Sequence, residues 1–284
     1  MISAAQTTHP QLSIRQLCAL FGVGRTWYYT QPTEPDSQTV ALRAAIETII
    51  LAFPGYGYRR VTKQLQRDGW TINHKRVLRV MRAESLLCQL KRHFVVTTDA
   101  THALRRYPNR IRDLDIVRPN QVWQSDITYI RLPAGFVYLA CIIDSYSRRC
   151  IGWALSRTID TALALDALEQ ALQTRQPAPG LIHHSDQGVQ YASTAYVARL
   201  EEAGLAISMT SRGNPYENAR AESFFKTLKT EEVNTNAYQS IEEAAANLDH
   251  FIEDVYNHKR LHSSLGYRSP AEFEVTNATT VTSL

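Results

Sequence analysis

Cysteine is scarce. Four occur in 284 residues, Cys18, Cys88, Cys141 and Cys150, with no CxxC spacing. That scatter excludes a disulfide scaffold and a zinc knuckle and predicts buried free thiols. Long apolar runs are also missing: the longest, Val137 to Ile143, falls far short of the ~18 residues a membrane-spanning helix needs. Met1 to His9 has neither the basic start nor the apolar stretch of a secretory signal. A soluble intracellular chain with no membrane partner is therefore expected. What is present is ordinary globular material, 44% hydrophobic and 20% charged, which excludes disorder of the whole chain. The length suggests two units, one carrying a sizeable core.

The formal net charge of +4 hides an asymmetry. Residues 1–118 hold 18 Lys and Arg against 8 Asp and Glu, net +10, whereas residues 119–284 hold 13 against 19, net −6. A basic front on an acidic body suits an anionic polymer as partner, because clustered cations gain affinity by releasing counterions from phosphates. A merely solvated surface is the competing explanation.

The front reads as small helical units. Ser13 with Gln16 forms a capping box ahead of Ile14, Leu17, Cys18 and Phe21 at helical spacing. Gly22-Val23-Gly24 breaks that helix, and a second begins at Arg25, the pattern of a helix-turn-helix. Pro32 to Ser37 reads as a linker, with a further helix from about Leu42 to Phe53. After Tyr56-Gly57-Tyr58-Arg59-Arg60 comes another unit. There Asn73 caps a helix on which Lys75, Arg79 and Arg82 align at i, i+4, i+7, beside Arg76 and opposite Val77, Leu78 and Met81. Such a basic stripe suits a helix lying on DNA, and a solvated face explains it about as well. Arg105, Arg106, Arg110 and Arg112 form a basic connector. The expected divisions are 1–35 and 36–95 as two helical DNA-binding segments, 96–118 as linker, 119–275 as the main domain and 276–284 as a tail.

From Asn120 the periodicity changes to strands. Val122 to Ile130, Phe136 to Asp144 and Cys150 to Thr158 predict an antiparallel meander. A helix over 161–174, a strand over 181–184, a helix over 194–203 and a strand over 205–209 follow. Asn214 as cap, Pro215 at the first helical position and Glu217 as the capping-box partner predict the start of a long helix carrying Glu222. This is an α/β domain with a mixed sheet. Asp126 lies on the first strand, Asp186 at the end of the fourth and Glu222 on the last helix. Lys229 falls about 20° from Glu222 two turns along, with Lys226 between them. Three hard oxygen donors from separate elements, with two cations beside one of them, fit divalent-metal phosphoryl transfer. An ordinary i, i+4 Glu–Lys pair is the local alternative.

At these residues the sequence resembles the DDE transposases of bacterial insertion sequences, specifically the insertion-sequence-three family, whose second reading frame encodes a retroviral-integrase-like protein. Trp123-Gln124-Ser125-Asp126-Ile127-Thr128-Tyr129 resembles the first-Asp segment, and His184 through Asp186 to Tyr191 the second. Asn218 through Glu222-Ser223-Phe224-Phe225 with Leu228-Lys229 resembles the Glu segment, with 35 residues between Asp186 and Glu222. Tyr256-Asn257, Arg260, His262, Leu265-Gly266-Tyr267 and Pro270 resemble the C-terminal signature. The resemblance runs from about Leu12 to Phe273. It implies an RNase H-like mixed five-stranded sheet with flanking helices, preceded by an all-α helix-turn-helix region. It implies two Mg²⁺ or Mn²⁺ ions, with Asp126 bridging them and Asp186 and Glu222 each holding one. Element ends would be cut to free a 3′-OH that attacks another phosphodiester. Terminal inverted repeats and target DNA would be the partners, held by Arg25, Arg59, Arg60, Lys75, Arg76, Arg79, Arg82, Lys226 and Lys229. A homo-oligomeric synaptic complex in the bacterial cytosol, and a fusion to or action with an upstream-frame product, are implied in the same way.

Other chemistries are poorer fits. His184-Ser185-Asp186 lacks the G-x-S-x-G elbow of a hydrolase, and neighbouring strand residues point to opposite faces. His183 and His184 suit packing or hydrogen bonding, with contact to DNA or a metal-bound water open to His184. The nine histidines show no HxxxH pairing with the cysteines, so a zinc-binding front domain is not indicated. Trp123 and Tyr129 suit the core better than base stacking. The main rival is a DNA-binding regulator without chemistry, and a weaker one is a stand-alone RNase H-like nuclease.

Overall fold

The computed structural model describes residues 2–30, 37–88, 105–211 and 215–281, and the chain divides into two compact units, Met1–Ile46 and Glu47–Leu284. In the first, α1 (Ile2–Thr8), α2 (Ile14–Leu20) and α3 (Arg25–Thr30) surround Ile2, Leu17 and Cys18. The Ser13–Gln16 capping box is formed as expected, the Ser13 amide donating to Gln16 Oε1 at 2.9 Å. Helix α4 (Ser37–Ala52) crosses the division and starts earlier than its apolar periodicity suggested.

In the second unit α5 (Tyr58–Arg67) and α6 (His74–Ala83) form a helix pair. Asn73 caps α6 by accepting from the Lys75 amide at 2.9 Å. Val77 and Met81 are buried while Lys75, Arg79 and Arg82 are exposed, so the basic stripe faces outward as the spacing required.

A five-stranded mixed sheet follows: β1 (Val122–Leu132), β2 (Gly135–Asp144), β3 (Cys150–Ser156), β4 (Ile182–Ser185) and β5 (Ala206–Met209), in the order β3-β2-β1-β4-β5. The β3-β2-β1 meander is antiparallel, and β4 and β5 join in parallel. The near-continuous apolar run of β2 is explained by cover on both faces. Ala140 and Ile142 pack beneath α7 (Thr161–Arg175), α8 (Val189–Ala192) and α9 (Thr194–Glu202). Val137, Leu139, Cys141 and Ile143 meet Phe224, Phe225 and Leu228 of α10 (Ala219–Leu228), and residues of α11 (Ile241–Asp249) and the π-helical run 250–259. Gly152 of β3 is required by packing: a Cβ there would lie 2.3 Å from the Ala167 carbonyl oxygen of α7. Helix α12 (Pro270–Val281) closes the described chain.

Cys18, Cys141 and Cys150 are buried free thiols, as expected, while Cys88 is half-buried. No described helix is long and apolar enough to cross a membrane.

The start of α10 differs from expectation. Residues 215–218 form a 3-10 turn and the α-helix begins only at Ala219. Asn214 lies outside the described residues. The capping box expected for Glu217 therefore also lies outside the described residues; within them its carboxylate accepts from the Ser211 amide and from Arg112 at 2.9 Å. Burial works against its charge, but those donors outweigh burial and hold the carboxyl at about 2. The basic connector docks here as well: the Arg110 amide donates to Ser208 Oγ at 2.9 Å and its Nε to the Ile207 carbonyl at 3.2 Å.

Candidate active site

Asp126 sits mid-strand on β1, Asp186 directly after β4 and Glu222 in the first turn of α10. Because β1 and β4 are adjacent and parallel, with Gln124 opposite His184, the two aspartates leave the sheet side by side. Asp126 Oδ1 accepts the Ile127 amide at 2.8 Å. Asp186 Oδ1 accepts the Gly188 amide at 2.9 Å, where a Cβ on residue 188 would crowd that oxygen.

A buried amide pair sets Glu222 against this edge. Gln124, two residues before Asp126 and therefore on the same face of β1, donates from Nε2 to the Glu217 carbonyl at 3.1 Å and accepts the Arg220 amide at 3.2 Å. Asn218 Nδ2 donates back to the Ser125 carbonyl at 3.1 Å. The strand carrying one acid is thus bonded to the turn that launches the helix carrying another. The local sequence pattern does not give Gln124 and Asn218 this role. The signal for Gln124 was its i−2 placement on the face of Asp126.

The electrostatics are those of a like-charge cluster. Burial pushes the Asp126 carboxyl up to about 8, Asp186 and Glu222 add to the rise, and the Ile127 amide and Lys229 oppose it. Glu222 is exposed, and burial alone raises its carboxyl, with no cation among the causes. The simple Glu222–Lys226 pair is therefore not what the structure forms. Lys229 is half-buried over the Tyr129 ring, its Nζ 4.6 Å from the centroid, and the Asp126 charge works against the fall that burial causes in its ionisation. Lys226 is exposed.

Among the described residues no three acid, histidine or cysteine side chains stand close enough to enclose an ion as they are. The donor set nevertheless fits a hard cation: three carboxylates share one region, and burial and mutual repulsion make their joint ionisation unfavourable without added positive charge.

The remaining nominated residues sort plainly. Arg25 is exposed at the start of α3, Arg59 is exposed on α5, and Arg76 is half-buried on α6. Arg60 is half-buried, with its guanidinium 3.6 Å from the buried carboxylate of Glu231. His183 and His184 are buried, bonded to Tyr196 Oη at 2.9 Å and Ser208 Oγ at 2.8 Å. Burial lowers them to about 3 and about 4. Both are buried, hydrogen-bonded packing groups. Trp123 is fully buried and Tyr129 half-buried.

An "Integrase core domain" family model matches residues 117–215, a second of the same description matches 203–270, and an "HTH-like domain" matches 37–94. The chain is 37% identical over 252 residues to the transposase for insertion sequence element IS904 of Lactococcus lactis subsp. lactis (strain IL1403), covering 88% of this chain and 100% of that one. It is 36% identical over 275 residues to transposase InsF for insertion sequence IS3A of Escherichia coli (strain K12), covering 94% and 96%. The chain belongs to the IS3 family of insertion-sequence transposases. It is a DDE polynucleotidyl transferase with an RNase H-like integrase core and an HTH-like DNA-binding segment, of an enzyme class that works with a divalent metal. Among solved structures it is similar to a chain of the simian T-cell lymphotropic virus intasome in complex with PP2A regulatory subunit B56 gamma. That match has a TM-score of 0.48 at 15% identity, covering 81% of this chain and 74% of that one.

The raised Asp126 ionisation gives a stability prediction. Folded, this carboxyl keeps its proton up to about pH 8, whereas its ordinary value is 3.8. The unfolded chain therefore binds fewer protons across that interval, and stability falls as pH rises through it. Asp126→Asn removes the penalty. In EDTA the variant should be more stable than the parent at pH 8 by on the order of 1–3 kcal/mol, discounted for partial solvent access, and equal to it at pH 4. Thermal unfolding at the two pH values checks this, and an equal shift at both would refute it.

Proposed function

We propose that Asp126, Asp186 and Glu222 are the catalytic carboxylates, that they hold two Mg²⁺ or Mn²⁺ ions, and that the chain cuts its element's ends and joins the freed 3′-OH to target DNA. The observation that carries this reading is the convergence of acids from β1, the end of β4 and α10 beside Lys229. Divalent ions, when bound, would neutralise the scissile phosphate amid these acids and activate the attacking oxygen. Asp126, whose carboxyl feels both other acids, would be the ligand shared by the ions, and Asp186 and Glu222 would each hold one. Asp126 Oδ1 accepts the Ile127 amide, which leaves Oδ2 as the oxygen that would carry the proton or meet an ion. Lys229 and Lys226 would grip the scissile strand's backbone. Water, then the 3′-OH, would be the nucleophile, with no covalent protein intermediate.

In this reading residues 36–95 hold element ends through Arg59, Lys75, Arg76, Arg79 and Arg82, residues 1–35 add a contact through Arg25, and 119–275 carry the chemistry. Terminal inverted repeats and target DNA are the partners, met in the bacterial cytosol by a homo-oligomer that acts with or fused to an upstream-frame product. The test is cleavage and joining on duplexes carrying the element's ends, with and without Mg²⁺. Expected are a new 3′-OH at the end and a joined product, both only with the metal. Nicking without joining would favour a stand-alone nuclease, and binding with neither product would favour a regulator.

A further inference from the structure

We propose that a groove shared by α5, the turn into α6 and the C-terminal turn at Tyr267 seats backbone phosphates of duplex DNA, so that the C-terminal signature takes part in holding the element end. The proposal rests on the reading of 36–95 as the DNA-holding segment and extends it to residues outside that segment.

The groove has a volume of about 880 Å³. Its lining includes Arg59, Lys63, Gln66, Trp70, His74 and Tyr267, and, among the described residues, no acid. Arg59, Lys63 and Gln66 stand at i, i+4, i+7 and form one exposed stripe of α5. The nearby acids are already engaged: Asp68 accepts from Gln64 at 3.0 Å, and Glu272 binds Arg67. Uncompensated cations along a concave wall match a phosphate chain, which carries charge at regular intervals and presents only acceptors.

Two further features point to a built seat. The α6 N-terminus opens into the groove at Asn73 and His74, with no acid in its first turn, and this end of a ten-residue helix favours an anion. Across the groove, Tyr267 is held in the left-handed region at φ 60, uncommon for a bulky residue, with its amide donating to the His262 carbonyl at 2.8 Å. That backbone brings the Tyr267 ring under Lys63, whose Nζ lies 5.6 Å from the centroid. The turn is tied to α5 by Arg67, which donates to the Tyr267 carbonyl at 3.5 Å and to Glu272 Oε2 at 3.1 Å. The exposed stripe of α6 would then meet the groove edges of the duplex while this wall meets its backbone, the division of labour usual for a helix pair on DNA.

The test uses the full chain in EDTA, so that it does not depend on the catalytic carboxylates. Binding to a labelled duplex carrying the terminal repeat, and to a random duplex, is followed by fluorescence anisotropy across a salt series. The double variant Arg59→Ala/Lys63→Ala should bind both duplexes at least tenfold more weakly. Its slope of log affinity against log salt should shrink by about 2, roughly 0.9 for each lost phosphate contact. Arg59→Lys/Lys63→Arg should restore both. Tyr267→Ala should weaken both duplexes two- to fivefold, the result that separates a shared groove from a contact by α5 alone. If Arg79→Ala weakens binding while the groove variants leave affinity and slope unchanged, the groove assignment fails and the DNA-holding reading stands. If neither set has an effect, both fail.

Discussion

Asp126→Asn, Asp186→Asn and Glu222→Gln are each expected to lower strand transfer by on the order of 10³-fold or more, while end-DNA affinity measured in EDTA stays within about twofold. Each substitution keeps the volume of the side chain and one acceptor oxygen but removes the negative charge that a hard cation selects. The three should differ in stability. Asp126→Asn relieves a half-buried, repelled carboxyl and should stabilise at pH 8, whereas Glu222→Gln alters an exposed helix position and should change stability little. Gel assays of joining, set beside thermal unfolding and anisotropy, separate loss of chemistry from loss of fold. Retained joining in all three variants would remove these carboxylates from the reaction, and parallel loss of binding and joining would make their role one of shape.

Much of this site was legible in the sequence because each acid sits in a segment whose period announces its element. The β-branched and aromatic residues of 122–132 mark a strand through Asp126. Ala221, Phe224, Phe225 and Leu228 mark the buried side of α10, and all four are buried. Local patterns failed where a side chain had a better partner far along the chain. Pro215 opens a helical turn as its position suggests, but that turn is 3-10 and the α-helix begins only at Ala219, with the carboxylate of Glu217 reaching Arg112. Arg59 and Arg60 are neighbours of one type, yet one faces outward and the other meets Glu231. Nothing in a window around Tyr56 shows that its hydroxyl will accept the Leu261 amide at 2.7 Å, 205 residues away.

That long-range joint carries the second large effect. Glu231→Ala should destabilise the protein by about 3–5 kcal/mol, because removing one partner of a buried ion pair leaves the other charge uncompensated. Glu231 accepts from Arg260 through both oxygens, at 2.7 and 2.6 Å, with side chains only 3% and 6% exposed, and Arg60 approaches at 3.6 Å. Burial works against the Arg260 charge and Glu231 more than restores it. Gly55 completes the fit: a Cβ there would fall 2.2 Å from Glu231 Cγ, so Gly55→Ala should also destabilise by forcing that carboxylate aside. The double variant Glu231→Leu/Arg260→Met should recover much of the loss, since replacing both charges removes the desolvation cost along with the attraction. Urea unfolding of the single and double variants measures the coupling, and a single-variant loss below about 1 kcal/mol would show the pair to be dispensable. Glu231 lies in the π-helical run 229–233 that starts at Lys229, the cation beside Asp126. The same substitution should therefore lower joining in the fraction that remains folded, because the anchor for Gly55 to Arg60 and the placement of Lys229 share one short stretch of backbone.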